Sequence, residues 1–355
     1  MRLRSWVVLM SALLTAIPVM ADNNAYGYPY RTGGNYAGPR WYGYYGNNNS
    51  FDSYVPQNAD HTNITEIWAT YSIDPDRSHQ LSDARTAILD NLAVAKQYGE
   101  RAMVDVGAIV LLPGYNSDSP CYGENPVAAT DFQDLVQTLI DAGYLIPNHP
   151  ESGTVSSFYV ADEPDGNCLY DSLDASFNPV APNPSLLNAI SVIRQNADTT
   201  NFPLATIVTN HKYGNMPYGL GLFDWIGMDD YDTDVATYVN DFSLFERDAA
   251  NNDAVGGTPQ QFMLIPVVSS QVGTAGPFSK GAPYMQARFL ADNSVIGIMP
   301  FKWQPPTKPD GTPNPDGMND TSSWAPGYIA LGKSIVFVAN LPAETTVITD
   351  FLIPH

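Results

Sequence analysis

Carboxyl groups that could exchange protons with a substrate stand at the end of a short apolar run within residues 157–166. The run ends in Asp162, Glu163 and Pro164. Because proline cannot donate to a sheet ladder, we expect a buried strand here with Glu163 as its last residue. A carboxyl group held on a rigid element can donate or accept a proton at a defined position. The stretch therefore predicts a general acid or base at the rim of a sheet.

The rest of the chain supplies further strands for that sheet. Apolar runs predict strands near 41–46, 65–73, 101–112, 157–163, 204–209, 223–231, 262–269 and 295–303. Strands that alternate with helices indicate a parallel sheet, and about eight of them predict a single-domain α/β fold, the (β/α)8 TIM barrel. The link between the fifth and sixth strands is too short for a helical crossover, so one βα unit is abbreviated. A doubly wound open sheet is the alternative, but no glycine-rich phosphate loop follows the first strand.

Several residues carry more local predictions. Ser82 and Thr130 are expected to cap the helices that follow strands two and three, and Gly99 is expected to end the first of them. Asp105 lies within the apolar run of the third strand. A buried carboxylate needs partners, so we expect Asp105 to orient Glu163 or another polar residue from below.

Polar and aromatic residues follow the carboxyl ends of several predicted strands, where parallel barrels place their chemistry. The predicted substrate-binding residues are Asp162, Asn210, His211, Asp230, Tyr231, Asp232, Gln271, Lys302 and Trp303. Carboxylates after strands can also simply cap the next helix, and we prefer that interpretation for Asp234. It is not preferred for Glu163, because a proline and a loop separate Glu163 from any helix.

Side-chain alternation with a period of two assigns the residues that face the barrel interior. If the small residue Ala161 faces inward on strand four, Glu163 does so too. If Gly227 faces inward on strand six, so does Asp229. Together with strand eight, the predicted inward-facing set is Ala161, Glu163, Gly227, Asp229, Tyr231, Gly297, Phe301 and Trp303. Two carboxylates and an aromatic platform in one pocket suit a sugar ring, which has apolar faces.

The motif at 162–164 resembles that of the glycoside hydrolase superfamily of (β/α)8 barrels. There the fourth strand often ends in Asn-Glu-Pro or Asp-Glu-Pro, and that glutamate is the general acid/base. The resemblance implies this role for Glu163, but it does not identify the exact family. Such hydrolases place a nucleophilic glutamate after strand seven, whereas residues 267–271 contain no carboxylate. Residues 228–232 look more like the Tyr-Asp element of chitinase-type barrels, although strand four lacks the spaced aspartates of those proteins.

The sequence therefore predicts a glycoside hydrolase acting on a poly- or oligosaccharide by carboxylate general acid/base catalysis. Glu163 is the predicted general acid and Asp229 its partner. The alternative is a catalytically inactive barrel that binds carbohydrate or a surface partner, as the missing strand-seven glutamate would suggest. No cofactor or metal is expected, because no Cys-x-x-Cys or His-x-x-x-His cluster is present and the acidic loop near 310–320 does not match an EF-hand.

Composition and the first residues indicate an exported protein. The formal net charge is -21, which argues against nucleic acid or an anionic membrane as partner. Residues 1–21 are typical of a cleaved signal peptide, which predicts a secreted or periplasmic location. Residues 22–39 form a Gly/Tyr/Asn-rich leader, 40–340 the barrel domain, and 341–355 a tail. We expect a monomer without a membrane span.

The chain has two cysteines, Cys121 and Cys168. An even number in an exported chain predicts one disulfide. The two residues fall on the loops after strands three and four, which are neighbours in a barrel. A bridge there would join two walls of the mouth of the predicted site.

Overall fold

The computed structural model describes residues 40–45, 51–69, 77–113, 122–209, 216–230, 238, 241–242, 244–246, 249, 260–266, 282–292, 294–301, 312 and 325–339. One sheet contains eight strands, all paired in parallel. The strands are β1 (Trp41–Tyr42), β2 (Ile64–Ile67), β3 (Arg101–Asp105), β4 (Val155–Asp162), β5 (Leu204–Thr209), β6 (Trp225–Asp230), β7 (Gln261–Pro266) and β8 (Val295–Ile298). Their spatial order is β1-β8-β7-β6-β5-β4-β3-β2. The predicted (β/α)8 barrel is thereby confirmed.

The seam between β1 and β2 nearly closes the barrel. The backbone N–H of Asn63 donates to the carbonyl of Tyr42 at 2.9 Å, and the Asn63 side chain accepts from the Tyr42 N–H at 2.8 Å. Gly43 lies so close to β2 that a Cβ there would be 2.0 Å from the carbonyl oxygen of Ile64. Only glycine fits at this position, because any side chain would push the two strands apart.

Helices surround the sheet. They are α1 (Phe51–Asn58), α2 (Arg77–Tyr98), α3 (Gly107–Val110), α4 (Ala128–Asp141), α5 (Pro184–Gln195), α6 (Ala282–Ala291) and α7 (Ala325–Ala339). Residues 238, 241–242, 244–246 and 249 are also helical. Between β5 and β6 the described residues contain only a 3-10 turn, Leu220–Leu222, which agrees with the predicted abbreviated unit. None of the described helices is long and apolar enough to cross a membrane.

The strands bury both faces, which explains why they are continuous apolar runs. Inward-facing side chains such as Met103 and Ile207 form one cluster inside the barrel. Outward-facing side chains such as Val104 and Val208 form a second cluster with the helices. Burial of each large aliphatic side chain stabilises the fold by about 1.5–3 kcal/mol.

The starts of two helices differ from the predictions. The helix α2 begins at Arg77 rather than Ser82, since no glycine or proline interrupts residues 77–98. The N-cap of α4 is Val127, not Thr130. The side chain of Asn125 accepts the Val127 N–H at 3.1 Å and fixes the start of α4.

The third strand is shorter than predicted. It ends at Asp105, whose carboxylate accepts the N–H of Gly107 at 2.8 Å and of Ala69 at 3.2 Å. These bonds turn the backbone out of the sheet into α3. The remainder of the predicted strand forms a separate antiparallel pair, Leu111–Pro113 with Tyr122–Glu124.

Candidate active site

A bulge in β4 decides which carboxylate faces the interior. The register between β4 and β5 shifts between Tyr159 and Ala161. Tyr159 belongs to the inner cluster, whereas Ala161 packs in the outer one. The inserted residue breaks the period of two, so the next side chain that meets the inner tyrosines is Asp162. The prediction that Ala161 faces inward, and Glu163 with it through strand alternation, is therefore wrong.

Asp162 is the last residue of β4 and is held by two tyrosines. The Tyr159 hydroxyl donates to its Oδ1 at 2.7 Å, and the Tyr45 hydroxyl donates to the same oxygen. Burial raises the pKa of Asp162 to about 7, against the opposing effect of the two hydroxyls, and the charge of Glu163 raises it further. This carboxyl can therefore hold or release a proton near neutral pH.

Glu163 lies just beyond the strand rather than being its last residue. It adopts a left-handed backbone conformation with φ of 39°, and its N–H still donates to the carbonyl of Ile207 at 2.9 Å. Its own carbonyl accepts the N–H groups of Gly166 and Asn167 at 2.8 and 2.9 Å, which closes a tight turn. A Cβ at Gly166 would lie 3.7 Å from Oε2 of Glu163, so the half-buried carboxylate lies against this turn. Left-handed conformations of residues other than glycine cluster at functional sites.

Asp165 is a buried carboxylate that the sequence did not single out. It accepts the N–H and the hydroxyl of Thr209 at 3.2 and 2.7 Å, and only 3% of the residue is exposed. Burial raises its pKa to about 6, and the charge of Glu163 contributes. Thr209 pairs with Asp229 in the sheet. Asp165 therefore lies between the end of β4 and the candidate carboxylate of β6.

Asp229 faces the interior as predicted. A Cβ on Gly227 would contact the inner side chains of Ile207 and Ile265 at 2.9 and 3.1 Å, which places Gly227 on the inner face. Asp229 is two residues further along the same strand and is 1% exposed. Its burial at the carboxyl end of β6 matches the geometry on which its predicted role depends.

Two further acidic residues lie deeper in the barrel. Burial raises the pKa of Asp105 to about 8, and the charge of Asp162 also raises it. The hydrogen bonds of Asp105 go to Ala69 and Gly107, so its observed partners are backbone groups rather than Glu163. Glu66 is fully buried on β2, two residues after the inner residue Ile64. No local pattern marks Glu66 as buried, because one glutamate in a half-polar strand is usually exposed.

Aromatic rings line the other side of the interior. The ring centroids of Tyr45 and Trp68 are 6.5 Å apart, and those of Trp68 and Tyr159 are 6.3 Å apart. Phe301 packs on the inner cluster with its centroid 5.9 Å from that of Tyr45, so its predicted inward orientation is confirmed. Carboxylates and aromatic side chains therefore meet at one end of the barrel.

The remaining predicted site residues lie outside the described part of the chain. They are Asn210, His211, Tyr231, Asp232, Gln271, Lys302 and Trp303, together with the side chain of Asp230. Their roles stay predictions. Among the described residues, no group of three or more His, Cys, Asp or Glu side chains is placed to hold a metal ion.

Only one of the two cysteines of the predicted disulfide lies in the described part of the chain. Cys168 is half-buried on the β4–α5 loop, and Cys121 lies outside the described residues. The N–H of Tyr122 donates to the carbonyl of Asn167 at 3.1 Å, which brings the neighbours of the two cysteines together. The bridge itself stays a prediction.

Comparison with known proteins finds similarity at the level of three-dimensional structure. No family model and no curated protein matches the sequence. A glycoside hydrolase family 5 mannosidase from Rhizomucor miehei is 11% identical over 80% of this chain and 87% of its own, with a TM-score of 0.45. An endo-beta-1,4-mannanase from Thermotoga petrophila is 11% identical over 84% of this chain and 77% of its own, with a TM-score of 0.48. A GH30 endoxylanase from Clostridium papyrosolvens is 14% identical over 85% of this chain and 72% of its own, with a TM-score of 0.46.

The chain is thus similar in structure to glycoside hydrolases with TIM barrels, while its exact family is not identified. Similarity at these identities and TM-scores carries no information about substrate or mechanism.

Proposed function

We propose that this protein is an exported glycoside hydrolase that cleaves a poly- or oligosaccharide, and that it acts as a monomer. One observation carries the proposal. Carboxylates from β4 and β6 lie at the same end of the barrel, and the partly exposed side chain of Trp68 packs there on the buried rings of Tyr45 and Tyr159 beside Asp162. Proton transfer and a surface for sugar rings are the two requirements of glycoside hydrolysis.

Glu163 is the proposed general acid. A glycosidic oxygen is a poor leaving group until it is protonated, so a carboxyl group must supply a proton near neutral pH. Asp162 precedes Glu163 directly and has a pKa of about 7, so a proton is available beside Glu163 in that range. In the proposed step, Glu163 gives its proton to the leaving oxygen as the bond to the anomeric carbon breaks.

Asp229 is the proposed partner that activates water. It takes a proton from a water molecule whose oxygen forms the new bond to the anomeric carbon. Strand β5 lies between β4 and β6, which favours a wide separation of the two carboxylates. Separations of about 6.5–9.5 Å accompany inversion and about 5–5.5 Å retention. Because residues 267–271 contain no carboxylate to serve as a nucleophile, we propose inversion.

The test measures release of reducing ends from mannan, xylan, β-1,3-glucan and cellulose, together with binding to the same polymers. Glu163→Gln preserves the shape of the side chain but removes the acid, so we expect turnover to fall by about 10²–10⁴-fold while binding persists. Glu124→Gln, an exposed residue on the neighbouring loop, is the matched control and should retain full activity. Wild-type turnover by Glu163→Gln would show that this residue is not the acid.

Two more variants separate the carboxylates from one another. Asp229→Asn should abolish turnover. With the wild-type protein, proton NMR of the first product formed should show inversion at the anomeric carbon. If Asp162→Asn is inactive while Glu163→Gln is active, the inward-facing Asp162 is the acid instead. Binding without turnover by the wild-type protein on every polymer would favour an inactive carbohydrate-binding barrel.

A further inference from the structure

A small hairpin in the β4–α5 loop exposes an unusual amount of apolar surface. Its strands are Ser172–Leu173 and Pro179–Ala181. Four large apolar side chains on or beside it are exposed: Tyr170 (47%), Leu173 (44%), Phe177 (82%) and Val180 (50%). Large apolar side chains exposed so near one another in the chain favour an interaction site.

Phe177, at the tip, is the most exposed of the four. Its φ of 62° is a left-handed conformation, which is unfavourable for a residue with a bulky side chain. The Asp174 side chain holds this turn by accepting the N–H groups of Ser176 and Asn178 at 2.8 and 2.9 Å. Neither the turn nor the core needs an aromatic ring here, because glycine or asparagine would suit the backbone and the ring packs on little of the protein. The ring is therefore presented outward on a rigid support.

The hairpin is fixed to the candidate active site through its loop. Asn183, the N-cap of α5, donates to the carbonyls of Cys168 and Tyr170 at 3.2 and 3.3 Å. The same loop begins with Glu163, and the loops that follow barrel strands lie at the carboxyl end. The exposed ring and the proposed acid therefore stand on one short, braced segment at the same end of the barrel.

The charge around the hairpin restricts its partner. Residues 164–193 contain no lysine or arginine, and the whole chain carries a net charge of -21. A polyanion or an anionic membrane would be repelled. Insertion into a neutral bilayer would carry Asp174 with it, and hydrogen bonds from Asn178 and Ser176 lower the pKa of this carboxyl and keep it ionised. A neutral polysaccharide, whose sugar rings have flat apolar faces, would not be repelled by these charges and would not require Asp174 to enter a membrane.

We propose that this hairpin is an outer carbohydrate-binding subsite, in which the ring of Phe177 stacks on a sugar residue of a long neutral polysaccharide. The kind of ligand rests on the proposed function, while the surface itself does not. The subsite holds the polymer beyond the bond that is cleaved, which suits an enzyme acting within long chains.

The experiment is affinity gel electrophoresis in galactomannan, xylan, laminarin and hydroxyethyl cellulose, with the full-length protein carrying Glu163→Gln so that no polymer is consumed. In that background Phe177→Asn removes the ring and suits the left-handed backbone, Phe177→Trp keeps an aromatic face, and Leu290→Ala removes an apolar side chain that is 69% exposed on α6. We expect Phe177→Asn to weaken binding to the retained polymer about tenfold, or about 1.4 kcal/mol. Phe177→Trp should stay within about threefold and Leu290→Ala should be unchanged.

The melting temperature of Phe177→Asn should equal or exceed that of its parent, which separates lost binding from lost structure. Retention of full binding by Phe177→Asn, or no retardation of the parent by any polymer, would overturn the proposal. Flotation with phosphatidylcholine vesicles that depends on Phe177 would overturn it in favour of a lipid surface. If Phe177 governs binding but the wild-type protein hydrolyses nothing, the subsite stands and the proposed hydrolase activity fails.

Discussion

Glu100 gives a prediction that needs no knowledge of the substrate. The residue is 3% exposed, and its Oε1 forms a hydrogen bond with the hydroxyl of Thr62. Burial raises the pKa of Glu100 to about 8, although the bond to Thr62 opposes that effect. Within the described part of the chain, no lysine, arginine or histidine forms an ion pair with it. The carboxyl is therefore neutral at pH 6 and must ionise inside the protein at pH 9.

The magnitude follows from proton linkage. A carboxyl whose pKa is higher in the folded than in the unfolded state favours folding fully only below the unfolded value, and this contribution is lost as the pH rises through the folded value. With a folded pKa of about 8 and an unfolded value of about 4.3, the loss between pH 6 and pH 9 is about 2–3 kcal/mol. Glu100→Gln keeps the size and the hydrogen bond but cannot ionise. We therefore expect the variant to gain about 2–3 kcal/mol over the wild-type protein across this range.

The assay is urea denaturation of both proteins at pH 6, 7, 8 and 9, with the difference in unfolding free energy taken at each pH so that other titrating groups cancel. Asp174→Asn is the control. Its carboxyl is exposed, and hydrogen bonds from Asn178 and Ser176 lower its pKa, so it stays ionised throughout and its difference should not change with pH. A difference for Glu100→Gln that stays constant from pH 6 to pH 9 would refute the reasoning, since it would mean that Glu100 is hydrated or paired.

Three further predictions concern the barrel and its mouth. Tyr159→Phe removes a hydroxyl that donates to Asp162, and should raise the pKa of that carboxyl above about 7 in a carbon-13 NMR titration; an unchanged value would contradict the contact. Gly43→Ala places a methyl group 2.0 Å from the carbonyl of Ile64, and should lower stability by more than about 3 kcal/mol in thermal melts. Its control is Gly123→Ala, where the nearest atom is 3.7 Å away, and equal melting of the two variants would contradict the tight seam. Mass spectrometry of unreduced peptides should find the two cysteines in one bridge, and reduction should cost about 2–4 kcal/mol; two free thiols would remove this prediction.

The sequence alone determined the architecture, because hydrophobic periodicity and the residues that begin or end strands and helices are local signals. The strand and helix order and the abbreviated unit before β6 depend on residues close in the chain. The inward orientation of Asp229 was predicted correctly for the same reason. No bulge interrupts β6 between Gly227 and Asp229, so the period of two survives along that strand.

The tertiary structure decided the arrangement of the carboxylates, because their partners are distant in sequence. The bulge in β4 arises from its pairing with β5, and it turned Asp162 rather than Glu163 toward the inner tyrosines. Asp165 acquired its place through Thr209, a contact between two different strand ends. A one-residue shift in one strand reverses every side chain beyond it, and no local pattern records such a shift. The fold could thus be predicted from the sequence, whereas the identity of the inward-facing acid depended on how two strands meet in space.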